Sequence, residues 1–201
     1  MMAIRLGLTG SVGSGKTTVA NMLGARQACV IDADAISRGL TAAGGSAMPD
    51  IKQAFGDQVI AHDGSLNRDA MRALAFADVA TKQKLELIIH PLVATGIAFA
   101  QAQAEQQNVQ LIVLDIPLLV ESGHWRALLD YVVVVDCDNA TQIQRVQARS
   151  GWAIEQILNV IAAQAPRALR LAAADIVICN QNISLTQLET SVFEIAQQFG
   201  L

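Results

Sequence analysis

The fold of this chain is decided near its start, by the sequence Ile4-Arg5-Leu6-Gly7-Leu8-Thr9-Gly10-Ser11-Val12-Gly13-Ser14-Gly15-Lys16-Thr17-Thr18. Within it, residues 10–17 satisfy the pattern G-x-x-x-x-G-K-[ST], between an apolar run at 4–8 and a helical run at 18–23. Glycines let such a loop curl until successive backbone N–H groups point at phosphate oxygens, which larger side chains would obstruct. The pattern therefore predicts a phosphate-binding loop, or P-loop, between a strand and a helix.

The residues of the P-loop are candidate ligands of a nucleotide. Lys16 offers a compact positive charge to the β and γ phosphates, and Thr17 offers a hydroxyl ligand to Mg²⁺. We expect nucleotide contacts along the whole loop, from Gly10, Ser11, Val12, Gly13, Ser14, Gly15, Lys16, Thr17 and Thr18. The loop alone does not choose between a kinase, a GTPase and a motor ATPase. The chain has no N-K-x-D base-reading sequence, which weighs against a GTPase.

Runs rich in β-branched residues predict five strands, at 4–8, 29–31, 109–114, 131–136 and 176–179. Helix-like segments separate these runs. Strands that are apolar on both faces and alternate with helices form parallel sheets covered on both sides. We therefore expect an α/β fold of the P-loop NTPase class, with a doubly wound parallel five-stranded sheet. Ligands of such sheets bind beyond the carboxyl ends of the strands. Polar residues fall at three of these ends, namely residues 9–18, Asp32 with Asp34, and Asp115.

We expect a single domain over residues 1–201, because a chain of this length suits one α/β domain with a substantial core. A helical insertion at about 41–107 follows the second strand and is predicted to form a substrate lobe. The segment at about 139–174 carries arginines with few acids and is predicted to form a mobile helical lid. The remaining core segments are expected at about 1–40, 108–138 and 175–201.

The composition predicts a cytoplasmic protein outside membranes. The chain is 52% hydrophobic, but its apolar stretches at 109–120 and 131–137 are interrupted by Asp115 and Asp136, short of the ~18 apolar residues of a span. The apolar run at 4–8 leads into the P-loop rather than a cleavage site, which argues against secretion. A net charge of −4 argues against nucleic acid as a partner. We expect a monomer or a weak homo-oligomer.

The three cysteines, Cys29, Cys137 and Cys179, predict neither a disulfide nor a metal site. They are odd in number and far apart in sequence, and each lies at the end of a strand-like run. We therefore expect them to be buried, reduced side chains.

Two carboxylates, Asp32 and Asp34, follow the second predicted strand. A kinase uses an aspartate to accept the proton of an acceptor hydroxyl and to hold its oxygen in line with the γ phosphorus. We assign that role to Asp34, so that the chain is interpreted as a kinase that phosphorylates a hydroxyl group of a small metabolite with Mg-ATP. The alternative is that one aspartate caps the next helix and the other pairs with Arg38. For Asp32 both interpretations stay open.

Beyond these residues, the chain resembles the dephospho-CoA kinase family over nearly its whole length. The matching segments are, in chain order, Gly7-Leu8-Thr9-Gly10 with the P-loop, Asp32-Ala33-Asp34 with Arg38, His90-Pro91, Asp115-Ile116-Pro117-Leu118-Leu119-Val120-Glu121, Gln142 with Arg145 and Arg149, Gln164 with Pro166 and Arg170, and Ala174-Asp175 leading to Asn180. The resemblance implies transfer of the ATP γ-phosphoryl group to the 3′-hydroxyl of dephospho-CoA, which gives coenzyme A and ADP. It also implies Mg²⁺ as a cofactor.

The resemblance further implies a set of site residues. Four are implied to act on the reacting groups: Lys16, Asp34, Arg145 and Arg149. Two join the P-loop in binding ATP: Arg149 and Asn180. Two are implied ligands of Mg²⁺: Thr17 and Asp115. Contacts with dephospho-CoA are implied for Thr9, Asp34, Arg38, His90, Pro117, Leu118, Glu121 and Arg170.

Several of these residues have a structural alternative. His90 lies at a predicted helix end, where a histidine can simply cap carbonyl groups. Asp115 is either a magnesium ligand or a buried polar contact at a strand end. Arg145 and Arg149, one helical turn apart, form either part of the lid or an exposed, salt-bridged surface. Glu121 either orients substrate or pairs with a lid arginine.

Two alternatives remain for the protein as a whole. The first is another small-molecule or nucleotide kinase of the same architecture. The second, from a different functional class, is an ATP-binding regulatory switch without an acceptor. Asp34 and the arginine-bearing segment weigh against the switch, because a switch needs neither an acceptor base nor a lid.

Overall fold

The computed structural model of the chain describes residues 3–123 and 125–201 and contains a five-stranded sheet. Its strands are β1 (Ile4–Gly10), β2 (Cys29–Asp32), β3 (Leu111–Asp115), β4 (Tyr131–Asp136) and β5 (Ile176–Cys179). Their order in the sheet is β2-β3-β1-β4-β5. β1 pairs in parallel with both β3 and β4, and β4 pairs in parallel with β5. The predicted doubly wound sheet is confirmed, and all five predicted strands are present.

Helices connect the strands, as their alternation in the sequence predicts. They are α1 (Lys16–Gly24), α2 (Ala33–Leu40), α3 (Met48–Phe55), α4 (Arg68–Ala77), α5 (Val79–Gln106), α6 (Leu119–Ser122), α7 (Asn139–Ser150), α8 (Ile154–Ala162), α9 (Arg167–Ala172) and α10 (Leu185–Gln198). Side-chain caps begin several of them: the Asp138 carboxylate, for example, accepts the Thr141 N–H at 2.8 Å at the start of α7. The local sequence thus determines where these helices start.

The central strand β1 determines where the P-loop begins. Leu8 is opposite Asp115 of β3, and Gly10 is opposite Val135 of β4. The carboxyl ends of three strands therefore meet at one edge of the sheet, which is where parallel sheets bind ligands. β3 is buried along its whole length, and β4 is buried from Val132 onward. Apolar packing on both faces thus fixes the strands that present the P-loop.

The chain divides into two compact units. The first, termed the sheet unit, comprises Met1–Ile31 with Gln103–Leu201, and the second, termed the helical unit, comprises Asp32–Ala102. These boundaries differ by several residues from the predicted ones near 40 and 107. As a result α2, which carries Asp34 and Arg38, belongs to the helical unit rather than to the expected core.

The core of the sheet unit includes β1 and α1, the strand and the helix that flank the P-loop. α1 and α10 pack against the sheet through Val19, Leu23, Leu188 and Val192, each at most 2% exposed. The strands add Leu6, Leu8, Leu111, Val113, Val133 and Val135 to the same cluster. Burying each such side chain stabilises the fold by about 1.5–3 kcal/mol. The strand before the P-loop and the helix after it are therefore anchored in the same buried cluster.

The helical unit has a smaller core of its own. Its buried members are Ala47, Met48, Ile51, Val59 and Met71. Helix α5 contributes partly buried side chains to this core, namely Leu85, Ile88, Ile89 and Leu92. The helical unit therefore has the separate core that is expected of an inserted lobe.

Helix α5 corrects the prediction for His90 and Pro91. The helix runs from Val79 to Gln106 without ending at Pro91, so His90 lies in its interior rather than at a helix end. The predicted carbonyl-capping alternative for His90 is therefore wrong. A proline removes one backbone donor and leaves the carbonyl four residues earlier without its helical partner. Leu87, the residue with that carbonyl, and Pro91 are both exposed, so water can satisfy the group and the helix continues.

Helix α5 also bears on the prediction that the protein lies outside membranes. Among the residues that the structure describes, it is the helix whose length and composition would allow it to cross a membrane, with a mean hydropathy of 1.5 over its most apolar stretch. The sequence-based prediction considered the apolar stretches at 109–120 and 131–137 and did not include this helix. A single helix of this kind is weak support for a membrane protein, because helices of soluble proteins meet the same criteria.

The three cysteines are free, as predicted, but they are not all buried. Cys137 is buried, and desolvation of the thiolate raises its pKa to about 11. Cys29 is half-buried, and burial likewise raises its pKa. Cys179 is exposed, so the prediction of a buried side chain is wrong there. It lies on β5, an edge strand, where alternate side chains face solvent.

Candidate active site

The P-loop has the curled backbone that its glycines predict. Gly13 and Gly15 have φ angles of 75° and 95°, in the left-handed region that glycine tolerates best. The Ser14 N–H donates to the Ser11 carbonyl at 3.1 Å, which closes a tight turn. Gly15 is the N-terminal cap of α1, and Lys16 is its first residue. The loop therefore leads into the positive end of a helix, a favourable place for an anion.

Close packing adds a second reason for glycine at position 13. A Cβ atom built there would lie 2.8 Å from the Gln142 carbonyl oxygen on α7, a distance that real Cβ atoms do not reach. Gln142 is itself fully buried, and its side-chain amide donates to the Cys137 carbonyl at 3.1 Å. The P-loop thus rests directly on the backbone of α7.

Two hydroxyl groups inside the loop favour an anionic ligand. Across residues 3–123 and 125–201, the hydroxyls of Ser11 and Ser14 are buried and form no hydrogen bond. A buried hydroxyl without a partner is costly, so such groups are expected to be satisfied by a ligand. Phosphate oxygens accept hydrogen bonds and fit donors of this kind.

The side chain of Lys16 forms an ion pair with Asp115 at the end of β3. Only 16% of the lysine side chain and 9% of the aspartate side chain are exposed. On the neighbouring strand β1, the Thr9 hydroxyl donates to the Pro117 carbonyl at 3.1 Å and fixes the turn before α6. The structure therefore places Thr9, Lys16 and Asp115 at the strand ends where the sequence predicts them, and it brings Pro117, which the resemblance implied, beside Thr9. A magnesium ligand and a structural partner of Lys16 both remain compatible with this place for Asp115.

Arg145 and Asn180 bind the backbone of the P-loop. The Arg145 guanidinium lies 3.4 Å from the Gly13 carbonyl oxygen and 3.3 Å from that of Ser14. The buried Asn180 side chain donates to the Ser14 carbonyl at 2.7 Å, and its own oxygen lies 3.5 Å from Arg145. The resemblance implied that Arg145 acts on the reacting groups and that Asn180 binds ATP, and in this structure both side chains support the backbone of the P-loop. The alternative of an exposed, salt-bridged surface is therefore wrong for Arg145.

Arg149, one turn further along α7, is placed differently. Its side chain is exposed, and its Nε donates to the Ser150 hydroxyl at 3.3 Å. Thr17 is exposed on the first turn of α1, and Thr18 behind it is half-buried. Leu118 is 50% exposed in the turn before α6. The side chains of Thr17, Leu118 and Arg149 therefore lie at the surface, where a ligand can reach them.

Glu121 has a partner that the sequence did not predict. Its Oε1 accepts the N–H of Ala165, between α8 and α9, at 2.6 Å. The alternative in which Glu121 pairs with a lid arginine is therefore wrong in this structure. The nearby Arg170 is 5% exposed and donates to the Ala165 carbonyl, so its guanidinium supports the chain rather than facing a substrate. Gln164, beside them, accepts the Val12 N–H of the P-loop at 3.1 Å.

Sequence reasoning also missed an ion pair between Asp136 and Arg167. Two guanidinium nitrogens of Arg167 contact the carboxylate oxygens of Asp136 at 2.6–3.0 Å. The hydrogen bonds to Asp136 raise the pKa of Arg167 above its ordinary value. Asp136 is buried at the end of β4, and a buried carboxylate requires a cation or several donors. That requirement was the available signal, since residues 139–174 contain several arginines.

In the helical unit, the two aspartates have different environments. Asp32 caps α2 by accepting the Ala35 N–H at 2.9 Å, and it also pairs with Arg38 at 3.2 Å. It therefore takes both structural roles that the sequence left open. Asp34 is exposed in the first turn of α2 and, within the described part of the chain, forms no hydrogen bond or ion pair. His90 of α5 is exposed as well.

The side chains offer oxygen ligands for a metal but no dedicated cage. In the described ranges 3–123 and 125–201, no three histidine, cysteine, aspartate or glutamate side chains cluster closely enough to hold an ion. Mg²⁺ does not require such a cluster, because it keeps several waters and is bound through one or two protein oxygens plus substrate phosphates. The Thr17 hydroxyl and the Asp115 carboxylate fit that limited set.

Comparison with known sequences agrees with this geometry. A family model described as dephospho-CoA kinase matches residues 4–185. A dephospho-CoA kinase from Albidiferax ferrireducens is 50% identical over 198 residues, which cover 98% of this chain and 93% of that protein.

Comparison with solved structures supports the fold. The crystal structure of TT1252 from Thermus thermophilus has a TM-score of 0.86 and 28% identity, and the match covers 100% of both chains. A dephospho-CoA kinase from Campylobacter jejuni has a TM-score of 0.73 and covers 96% of both chains. Its 20% identity makes it a comparison of folds alone.

Proposed function

The chain belongs to the dephospho-CoA kinase family, and from that premise we propose that it transfers the γ-phosphoryl group of ATP to the 3′-hydroxyl of dephospho-CoA. The products are coenzyme A and ADP, and the reaction is the last step of coenzyme A synthesis. The protein is thus an ATP-dependent kinase. The observation that carries this conclusion is the P-loop, with Lys16 at the carboxyl edge of the sheet and two buried hydroxyls that have no partner among the described residues.

Asp34 is proposed as the base of the reaction. The acceptor oxygen forms a bond to the γ phosphorus, the bond from that phosphorus to the bridging oxygen breaks, and its electrons leave with ADP. The proton of the acceptor hydroxyl passes to the Asp34 carboxylate. Support comes from the exposed side chain of Asp34, which has no other use among the described residues, whereas Asp32 is occupied by a helix cap and by Arg38.

Positive side chains are proposed to stabilise the charge that spreads over the transferred group. Lys16 and Arg145 lie at the P-loop, and Arg149 is exposed one turn from Arg145. A guanidinium that approaches the equatorial oxygens of the phosphoryl group stabilises the transition state and displaces water. The neutral Asn180 side chain is proposed to support the P-loop itself, because it donates to the Ser14 carbonyl. For nucleotide binding, this proposal uses the loop residues from Gly10 to Thr18.

The acceptor is proposed to contact side chains that remain exposed. Arg38 has 57% of its side chain exposed and suits the phosphate groups of dephospho-CoA. His90 and Leu118 are exposed as well, and Pro117 lies in the turn that Thr9 fixes. We propose Arg38, His90, Leu118 and Pro117, together with Asp34, as the acceptor contacts, and the buried Thr9 as the residue that fixes the turn of Pro117 and Leu118.

Mg²⁺ is proposed as the metal cofactor, held by the Thr17 hydroxyl and the Asp115 carboxylate. When bound, it neutralises charge on the nucleotide phosphates. Asp115 pairs with Lys16 in this structure, so Lys16 and Mg²⁺ would share its carboxylate. Binding of the nucleotide would offer Lys16 the phosphates as alternative partners.

The enzyme is also proposed to be cytoplasmic, to bind neither membranes nor nucleic acid, and to be a monomer or a weak homo-oligomer. The net charge of −4 supports the absence of nucleic-acid binding. Helix α5 makes the membrane statement worth testing directly. Sedimentation with anionic vesicles should leave the protein in the supernatant, and pelleting with the vesicles would contradict the proposal.

The decisive experiment is a coupled ADP assay with purified protein. We expect turnover with dephospho-CoA and MgATP, and a product that carries a new 3′-phosphate by mass spectrometry. Shikimate and nucleoside monophosphates should give no turnover above the ATP-only rate. Turnover with one of these acceptors would favour another small-molecule kinase, and ATP binding without any turnover would favour the regulatory switch. Thermal stabilisation by dephospho-CoA alone is a further expected outcome, since only an acceptor site provides it.

A further inference from the structure

The turn between α8 and α9 is bonded to the P-loop. Gln164 Oε1 accepts the Val12 N–H at 3.1 Å, across 152 residues of sequence. Val12 precedes Gly13, the first loop residue with a positive φ angle. The contact therefore acts on the peptide that leads into the curled part of the loop.

The residue after Gln164 is held at both of its backbone polar atoms. The Ala165 N–H donates to Glu121 Oε1 at 2.6 Å, and the Ala165 carbonyl accepts from Arg170. Glu121 belongs to α6, which follows the strand that ends at Asp115. With Ala165 fixed in this way, the Gln164 side chain extends toward the P-loop from a defined position.

A bond to the Val12 N–H matters for a phosphate site. The P-loop binds phosphate through consecutive N–H groups whose directions depend on every preceding peptide plane. An N–H group that is engaged by a protein oxygen does not face the ligand, but the bond fixes its peptide plane. The planes from Gly13 onward are then set before the nucleotide arrives, which reduces the ordering cost of binding.

We propose that Gln164 is a positioning residue of the P-loop and that Glu121 acts through it. Glu121 holds Ala165, Ala165 directs Gln164, and Gln164 orients the Val12 peptide for ATP. This assignment replaces the acceptor contact that resemblance implied for Glu121. It rests on the proposed function in one respect, because the ligand of the loop is taken to be ATP.

The first test is Gln164→Met, which keeps the length and flexibility of the side chain and removes the acceptor oxygen. The Kd for ATP, measured by calorimetry without acceptor, should rise by about 2- to 12-fold, the effect of one lost hydrogen bond. The KM for ATP should rise by the same factor. The kcat and the KM for dephospho-CoA should stay within about twofold of wild type, since no group that touches the acceptor changes.

The second test asks whether Glu121 acts through Gln164. Glu121→Met should weaken ATP binding by a similar factor, whereas Glu121→Gln should bind ATP as wild type does, because its amide oxygen still accepts the Ala165 N–H. In the double variant Gln164→Met with Glu121→Met, ATP binding should be no weaker than in Gln164→Met alone. Such non-additivity is the signature of two residues that act in series.

Three outcomes would overturn the proposal. An unchanged ATP Kd in Gln164→Met, with a lowered melting temperature, would assign Gln164 a structural role only. Strictly additive losses in the double variant would separate Glu121 from Gln164. A Glu121→Gln variant as weak as Glu121→Met would show that charge, not the hydrogen bond, matters. Should Glu121→Met fail to fold by circular dichroism, the Gln164→Met titration decides alone.

These readouts separate this inference from the proposed function. Calorimetry with ATP requires no turnover, so a wild-type protein that binds ATP but does not phosphorylate dephospho-CoA would overturn the proposed acceptor alone. Conversely, wild-type turnover together with an unchanged ATP Kd in Gln164→Met would overturn the positioning role alone.

Discussion

The P-loop and the Asp32–Asp34 segment carry the two halves of the proposed reaction, and their polar groups are held in different ways. Around the P-loop, Lys16 pairs with Asp115, and Asn180 and Gln164 each bond to the loop backbone. Asp34, by contrast, forms no hydrogen bond or ion pair within the described residues. A phosphate site depends on several groups that are fixed together, whereas a base must stay available to its substrate.

The largest expected effect comes from removing that available carboxylate. Asp34→Asn should lower kcat by about 10²- to 10⁴-fold with the ATP Kd nearly unchanged, because proton acceptance is lost while the P-loop is intact. Asp32→Asn is the matched control: asparagine caps helices as well as aspartate does, so turnover should stay within about threefold of wild type. Steady-state kinetics and ATP calorimetry on both variants measure the contrast. Equal losses at the two positions would remove the distinction between them.

Removing the fixed cation of the P-loop should come next in size. Lys16→Met should lower kcat/KM for ATP by about 10²- to 10³-fold, since it removes a positive group aimed at the transferred phosphate. Lys82→Met, at an exposed position on α5, is the control and should behave as wild type. Kinetics with varied ATP test both variants. A Lys16→Met enzyme with wild-type kcat/KM would show that the P-loop does not bind the reacting nucleotide.

Two arginines on one helix give a finer version of the same contrast. Arg145→Met should weaken ATP binding by about 10-fold and lower the melting temperature of the free protein, because Arg145 supports the P-loop carbonyls. Arg149→Met should lower kcat by about 10-fold and leave the melting temperature unchanged, because Arg149 is exposed and available to substrate. Thermal melts without ligand distinguish the two residues, and identical behaviour would contradict the assignment.

The smallest expected effect concerns pH and the fixed carboxylate of Asp138. The Thr141 hydroxyl and N–H donate to it and lower its pKa below the ordinary value. Its contribution to stability is therefore complete above about pH 4 and is lost as the pH falls through the lowered pKa of the folded state. Asp138→Asn keeps a helix cap but cannot titrate. Its melting temperature should therefore fall less steeply than that of the wild type as the pH is lowered from about 5 to about 2. Parallel slopes would contradict this prediction.

Most of the sheet and the whole P-loop could be predicted because their determinants are local. Continuous apolar runs are typical of strands that are buried on both faces inside a covered parallel sheet. The residues that determine the chemistry of the P-loop are eight consecutive ones, Gly10 to Thr17. The different roles of Asp32 and Asp34 could not be predicted from the local sequence. It depends on α2 starting at Ala33, which makes Asp32 the cap and leaves Asp34 in the first turn.

The errors have equally physical causes. Proline usually ends a helix, but α5 continues through Pro91, where Pro91 and Leu87 are exposed residues. The continued helix is long and apolar enough to meet the criteria for a membrane span. The contacts of Glu121 with Ala165 and of Gln164 with Val12 join residues 44 and 152 apart. No spacing rule connects residues so distant, because tertiary packing alone brings them together.

The hydrogen bond from the Asn180 side chain to the Ser14 carbonyl has a consequence for the nascent chain. It joins residues 166 apart, so the ribosome must add that many further residues before Ser14 meets this partner. At about 5–20 residues per second, the glycine-rich segment waits roughly 10 to 30 s after its own synthesis. During that interval it is a flexible stretch open to proteases and chaperones. A nucleotide can therefore benefit from this contact only after Asn180 has been synthesised.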